Sequence, residues 1–248
     1  MKNILFILVL VSSLGYSQTV TDLFEKGNSS YKNGDYKTAI TLYRSIEAQN
    51  KVSSELYFNL GNCYYKLNKV APTIYNYEKA LRLDPNNEDA RNNLIFAKRL
   101  TLDRIEKLPQ SVFQKLQASL FVIDYASWGY FSILFSVFTA LLFLGYYFSL
   151  TSSNKRLFFS SGIITALLLI CSFSIAYTQY QSLMNKKEAI IFSEEAIVKT
   201  EPTVNSDESF VLHEGTKVVL LDTVDDWKKI KLVDGKIGWL PSLNLKEL

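Results

Sequence analysis

WGYFSILFSVFTALLFLGYYFSL, from Trp128 to Leu150, and LFFSSGIITALLLICSFSIAY, from Leu157 to Tyr177, decide how this chain must be organised. Each run is free of charge. At about 20 residues, each is long enough as a helix to cross a hydrocarbon layer about 30 Å thick. The intervening TSSNKR, Thr151 to Arg156, leaves room only for a tight turn. The pattern predicts a transmembrane helical hairpin with spans at 128–150 and 157–177 and a turn at 151–156. Two crossings return the chain to the side it left, so the segments before Trp128 and after Tyr177 share one side.

Nothing ionisable lies inside either run, and ion pathways ordinarily place charge there, so transport by this chain alone is not expected. Ser132, Ser136 and Ala140 recur every four residues, as do Gly162 and Ala166. Such small-residue stripes predict close packing, between the two spans or with a partner's span. Trp128, Tyr130, Tyr146, Tyr147, Tyr177 and Tyr180 fall near the ends, where amphipathic rings suit a membrane interface.

Upstream, residues 1–17 have the form of a secretory signal: Lys2, the apolar ILFILVLV, then small residues at Gly15 and Ser17 before cleavage at Gln18. An uncleaved anchor is the other reading. Either way residues 19–124 are expected to be exported, which sets the turn, with Lys155 and Arg156, on the cytoplasmic side as the positive-inside tendency favours. The expected location is the bacterial inner (cytoplasmic) membrane, crossed twice, with both soluble segments in the periplasm. The formal charge of the 248-residue chain is only +3, and residues 188–248 carry 12 acidic residues against 7 lysines. No basic patch points to nucleic acid. Cys63 and Cys171 sit in different regions, the second within a span, so they are expected to act as small buried apolar residues and not to pair.

Before the hairpin the chain repeats itself. Aligning Val20 with Ser54 superposes Gly27 on Gly61, Asn28 on Asn62, Tyr31 on Tyr65, Lys32 on Lys66, Ile40 on Ile74 and Tyr43 on Tyr77, a period of 34 residues. Leu60, Tyr64 and Leu67 recur at helical spacing, and Gly61 lets two helices approach. Ile74, Tyr77 and Leu81 form a second apolar stripe that Asp84-Pro85 ends. LYFNLGNCYYKLNK followed by IYNYEKALRLDPNN closely resembles the tetratricopeptide repeat, whose length is also 34. Departures from that pattern are Ile46 and Lys51 in the first copy and Asn68 and Thr73 in the second.

The expected structure is an all-α tetratricopeptide solenoid over residues 18–107, with repeats at about 20–53 and 54–87 and a capping helix at 88–107. The resemblance implies a concave groove lined by Phe24, Asn28, Tyr31, Lys32, Phe58, Asn62, Tyr65, Lys66, Asn92, Phe96 and Arg99. Aromatic, amide and cationic groups of this kind suit an extended peptide. The cation clamp of one branch of the family is not expected, because its places hold Phe24, Asp89 and Asn93.

Residues 108–127 read as a linker. After Leu108-Pro109, a helix capped by Ser111 carries Val112, Phe113, Leu116, Leu120 and Ile123 on one side, fit for a membrane interface or for packing under the solenoid. Beyond the hairpin, AIVKT, TKVVLLDTV, WKKIKLV and KIGWLP are β-type runs separated by turn-rich NSDES, Asp225-Asp226 and Asp234-Gly235. Ile230, Leu232, Ile237 and Trp239 are expected to face inward. Residues 188–248 thus read as a small all-β barrel. LHEGT through DDWKKIKL to DGKIGWLP resembles the bacterial SH3-like domain, which implies a ligand surface at Trp227, Trp239 and Pro241. An aromatic expected after the Pro-Ser pair is replaced by Leu243 and Asn244, against classical proline-peptide recognition.

No nucleotide loop, zinc motif or nucleophile motif occurs, and His213 is the only histidine, so no catalysis, cofactor or metal is expected. In order, an exported solenoid, a membrane hairpin and an SH3-like barrel make a multidomain membrane protein that resembles the BatE-type proteins of the Bacteroidetes aerotolerance operon. That resemblance implies a non-enzymatic membrane scaffold whose partners are the lipid bilayer and other membrane proteins, among them von Willebrand A-type proteins, in envelope stress or aerotolerance. The competing expectation is a cell-wall sensor whose SH3-like domain binds peptidoglycan and whose solenoid recruits a hydrolase. A channel subunit built on the hairpin is a third.

Overall fold

The structure, a computed structural model, describes residues 20–106, 108–109 and 111–248; the expected signal peptide at 1–17 lies outside the described residues. The chain forms two compact units: the described residues of Met1–Lys107 together with Lys187–Leu248, and Leu108–Lys186. In sequence, the second unit is an insertion into the first.

The first unit begins with paired helices. Helix α1 covers residues 20–32, α2 Tyr36–Glu47, α3 Ser54–Lys66, α4 Val70–Leu83 and α5 Glu88–Lys98. Asp35, Ser53 and Asn87 each accept from a backbone N–H three residues on, satisfying donors that a helix start leaves orphaned. Gly34 (φ 80°) and Asn68 (φ 54°) hold the same left-handed turn in successive repeats, and asparagine tolerates that conformation better than most side chains. Glycine is required where the helices touch. A Cβ at Gly27 would lie 2.5 Å from the Tyr43 ring, and one at Gly61 2.5 Å from the Tyr77 ring.

Helix α5 ends at Lys98, well short of the expected 88–107. Residues 101–106 instead leave the helix and run to the C-terminal sheet, where Asp103 is bound. That sheet is antiparallel and seven-stranded: β1 Glu188–Ile191, β2 Glu195–Lys199, β3 Glu208–His213, β4 Lys217–Val224, β5 Trp227–Lys231, β6 Ile237–Pro241 and β7 Leu245–Glu247. Its order is β3-β2-β6-β5-β4-β1-β7. Every strand gives a residue to one apolar cluster that includes Ile191, Val198, Leu212, Val218, Ile230, Leu240 and Leu245, so the sheet curls around a single core. Ile230 and Leu232 face that core, but Ile237, expected beside them, is exposed. The alternation runs through the turn at Gly235 without the one-residue shift that an inward Ile237 would need, so Leu240 points in and Trp239 lies on the other face beneath Lys229.

Strand β1 explains how the helices and the sheet become one unit. All four of its residues are buried. Ala189 and Ile191 enter the sheet core, while Ile190 packs with Ala71, Ile74, Tyr75, Leu94 and Ala97 of α4 and α5. Phe192 meets Tyr75 edge-on at 5.5 Å. Charges close the same seam: Glu78 receives Lys98 at 2.9 Å and Lys217 at 2.8 Å, and Lys217 also reaches Glu188 at 2.8 Å. Burial would raise the Glu78 pKa, but Lys217 and Lys98 hold it below the ordinary carboxylate value. Burial works against the charged Lys217 likewise, and Glu78 and Glu188 overcome it and raise its pKa.

The second unit contains α6 Val112–Leu120, α7 Tyr125–Phe148 and α8 Ser152–Asn185. α7 and α8 are both long and apolar enough to cross a membrane. At 1.5 Å per residue, the 34 residues of α8 extend about 51 Å, beyond a hydrocarbon core about 30 Å thick, so its polar last turns continue past the apolar run. α6 begins with the Ser111–Gln114 capping box and buries none of its residues. Trp128 Nε1–H donates to the Leu120 carbonyl at 3.1 Å, and Gln179 Nε2–H to that of Phe121 at 3.4 Å.

The seam between α7 and α8 differs from the four-residue stripe expected. Ser132 Oγ meets Ser172 Oγ at 2.9 Å, Thr139 Oγ1 donates to Thr165 Oγ1 at 2.9 Å, and Tyr125 packs on Tyr180 at 5.7 Å. These positions recur every seven residues on α7 and every seven or eight on α8, close to the spacing of an antiparallel coiled-coil seam. Ser136 and Ala140 face outward, and so does Cys171, which was expected to be buried.

Candidate partner-binding groove

Each A helix of the solenoid (α1, α3, α5) is joined to its neighbours by the same side-chain joint. Tyr43 Oη–H donates to Asn28 Oδ1 at 2.6 Å, and Asn59 Nδ2–H donates to that oxygen at 3.2 Å. One repeat later, Tyr77 Oη–H donates to Asn62 Oδ1 at 2.7 Å and Asn93 Nδ2–H at 3.0 Å. Burial pushes both tyrosine hydroxyls well above the ordinary pKa, so they remain donors. Period and hydrogen bonds therefore agree. The glycines bring the tyrosine rings onto the A helices, and the hydroxyls then fix where each asparagine points.

A cavity of about 270 Å³ opens beside the second joint, lined by Tyr31, Asn62, Tyr65, Lys66, Tyr77, Asn93 and Phe96. Five of the residues proposed from sequence meet there: Tyr31, Asn62, Tyr65, Lys66 and Phe96. The others are placed differently. Phe24 and Phe58 are partly buried against the helix core, with their rings 5.7 Å from Tyr43 and 6.1 Å from Tyr77. Asn28 belongs to the first joint, Lys32 and Asn92 are exposed, and Arg99 lies over the Phe96 ring at 5.1 Å. Sequence reasoning left out Tyr77 and did not use Asn93. The signal for both was the 34-residue period itself, which pairs Tyr43 with Tyr77 and Asn59 with Asn93.

Cys63 sits under this groove, fully buried, and burial pushes its thiol up to about 12, so it is an inert packing group. In the sheet, Trp227 pairs with Pro241 across β5 and β6 and is half-buried, while Trp239 is 9% exposed, with Lys229 Nζ 5.5 Å from its ring centroid. Trp239 therefore acts chiefly in packing. Among the described residues no cluster of His, Cys, Asp or Glu is arranged to hold a metal.

The tetratricopeptide repeat family model matches residues 54–87, which are α3, α4 and the turn that follows them. A comparison with curated proteins gives no match. The repeat points to protein partners in general, since such helices present an inner surface to extended segments of other chains.

Proposed function

We propose that this chain is a membrane-anchored protein–protein interaction scaffold that performs no chemistry of its own. The observation that carries the reading is the open groove of Tyr31, Tyr65, Lys66 and Phe96, built on joints that leave its rim free. Its aromatic faces and the cations of Lys66 and Arg99 favour an extended segment with apolar and acidic side chains.

Anchoring is proposed through α7 and α8. The insertion supports their crossing as a pair, because the chain enters and leaves them from one compact unit, which must then lie on a single side. With an exported N-terminus that side is the periplasm, and the exposed apolar residues of α6 suit the adjoining interface. The finer role, in an envelope-stress or aerotolerance complex with von Willebrand A-type membrane partners, rests on the likeness to BatE-type proteins.

Crosslinking from native membranes with a photoreactive residue at Tyr65, followed by pull-down, tests the reading. Integral membrane partners should be recovered, and Lys66→Glu should lose them without lowering the melting temperature. Undiminished recovery with Lys66→Glu would remove the groove as the working surface. For topology, cysteines at Asn87 and Asp207 should both react with an impermeant thiol reagent and one at Ser153 should not. Opposite labelling of 87 and 207 would rule out the paired crossing.

A further inference from the structure

Residues 101–106 do more than connect α5 to the inserted unit. Among the described residues strand β3 pairs only with β2 and is therefore an edge of the sheet, the kind of edge on which unpaired N–H groups invite another chain. At the last residue of this edge one carboxylate stands in for a partner strand. Asp103 Oδ2 accepts the His213 backbone N–H at 2.7 Å and the Thr216 hydroxyl at 2.6 Å, and Asp103 Oδ1 lies 2.7 Å from His213 Nδ1. Two residues later Ile105 packs against the apolar core of the sheet. Arg104 and Glu106, between and after them, point to solvent. A cavity of about 370 Å³ remains beside the segment, walled by Phe210, Leu212, Leu232 and Lys236.

The contacts are selective in a way that a plain connector does not need. An acid is recognised by three groups, an aliphatic side chain two positions on fills the mouth of the core, and the intervening side chain is not read. No strand forms between residues 103–106 and β3. We propose that this edge is a binding site for an extended protein segment of the form Asp-x-(Ile, Leu or Val). Residues 103–106 fill it in cis, and a partner carrying the same pattern replaces them. Because the strap is tethered, its effective concentration is on the order of millimolar, so it masks the site from weak competitors and yields to a partner held nearby.

The experiment uses the full chain in detergent and a fluorescent peptide of residues 101–106, read by anisotropy. A strap-disabled variant, Asp103→Ala with Ile105→Ala, should bind the peptide at least about tenfold more tightly than wild type. The peptide carrying both alanines should bind neither chain, and adding Thr216→Val to the variant should weaken binding again. Absence of binding by a folded variant, equal binding by wild type, or equal binding of the alanine peptide would each overturn the site. Should the variant lose its fold, Asp103→Asn read by hydrogen exchange replaces it. The His213 amide should then exchange faster while Val198 does not, and added peptide should restore protection; an unchanged His213 amide would overturn the proposal. Concentration-dependent protection of His213 in wild type, with dimers in light scattering, would replace the separate partner by a second copy of this chain.

Discussion

The two units differ in whether a carboxylate takes part in their buried polar contacts. In the helix-and-sheet unit carboxylates take part at the contacts with the sheet, Glu78 with Lys98 and Lys217 and Asp103 with His213, beside the neutral tyrosine–asparagine joints between helices. In the hairpin the contacting groups are hydroxyls, Ser132 with Ser172 and Thr139 with Thr165, and no carboxylate occurs between Tyr125 and Asn185. The difference follows from what each group would do if the contact opened. A carboxylate in the helix-and-sheet unit can return to water, whereas a charge in the apolar layer proposed for the hairpin has no such refuge. A serine or threonine hydroxyl can fall back on a carbonyl of its own helix, as Ser132 does with Trp128 and Thr139 with Phe135. Charged seams should thus be strong, pH-sensitive and easily broken by mutation, and hydroxyl seams weak and indifferent to pH.

The largest effect should come from Glu78→Ala, which leaves Lys98 and Lys217 without their shared partner. Breaking a buried pair costs about 3 to 5 kcal/mol, and the lower end is expected because Lys217 keeps Glu188. The expected result is a melting transition that splits or drops, with the sheet separating from the helices before either unfolds. A single unshifted transition would mean that Ile190 and Phe192 hold the seam without help. Next comes Gly61→Leu, whose side chain would collide with the Tyr77 ring, for about 1 to 3 kcal/mol. Asn62→Ala follows, at about 0.5 to 1.5 kcal/mol, because Tyr77 Oη and Asn93 Nδ2 lose their common acceptor. Lys66→Ala, one turn away and exposed, should cost less than about 0.5 kcal/mol. Asn62 and Lys66 share a face in sequence, and only their unequal costs reveal that one holds the joint and the other does not.

Acid sharpens the same contrast. Glu78 and Asp103 have pKa values below the ordinary carboxylate range. In both, burial pulls upward but is overcome, by the lysines for Glu78 and by the donors from His213 and Thr216 for Asp103. A depressed carboxylate stabilises the folded state above its unfolded pKa, about 4, and that contribution disappears as pH falls through the lower folded value. The helix-and-sheet unit should keep its melting temperature from pH 7 to about 5 and lose it below about 4. Glu78→Gln should lower the plateau and flatten the acid limb. The helical signal of an isolated α7–α8 hairpin in detergent should not change over the same range, because no carboxylate lies between Tyr125 and Asn185.

Much of this architecture could be read from the chain because it is written in short periods. The apolar runs, the 34-residue repeat and the turns at Asp225-Asp226 and Asp234-Gly235 are local patterns, and each reappears in the structure. What could not be read depends on distant partners. Nothing near Asp103 announces His213, 110 residues away, nor does Glu78 announce Lys217, 139 residues away. Strand β1 was obscured for a related reason: EAII serves two cores at once, so it lacks the alternation that marks a half-buried strand. The hairpin seam was legible in part: Ser132 and Gly162 face the other helix, whereas Ser136 and Ala140 do not. Spacings of four and seven both occur among its small residues, and composition does not say which one faces the partner helix.

The smallest expected effect decides that last point. If the seven-residue seam is right, cysteines at Ser132 and Ser172 should form a disulfide readily, because their Oγ atoms lie 2.9 Å apart, whereas cysteines at Ser136 and Ser172 should not. The assay needs Cys171→Ser, which alters an exposed position beside the seam. Energetically, Ser172→Ala should cost only about 0.6 kcal/mol, the average for hydrogen bonds between membrane helices, because the unfolded helix finds other partners and Ser132 keeps the Trp128 carbonyl. Ser136→Ala should cost nothing measurable, since Ser136 faces away from α8. Efficient crosslinking through Ser136 would return the seam to the four-residue stripe. A loss of several kcal/mol at Ser172→Ala would break the wider comparison, because a hydroxyl would then be carrying the weight that only a charge pair is expected to carry.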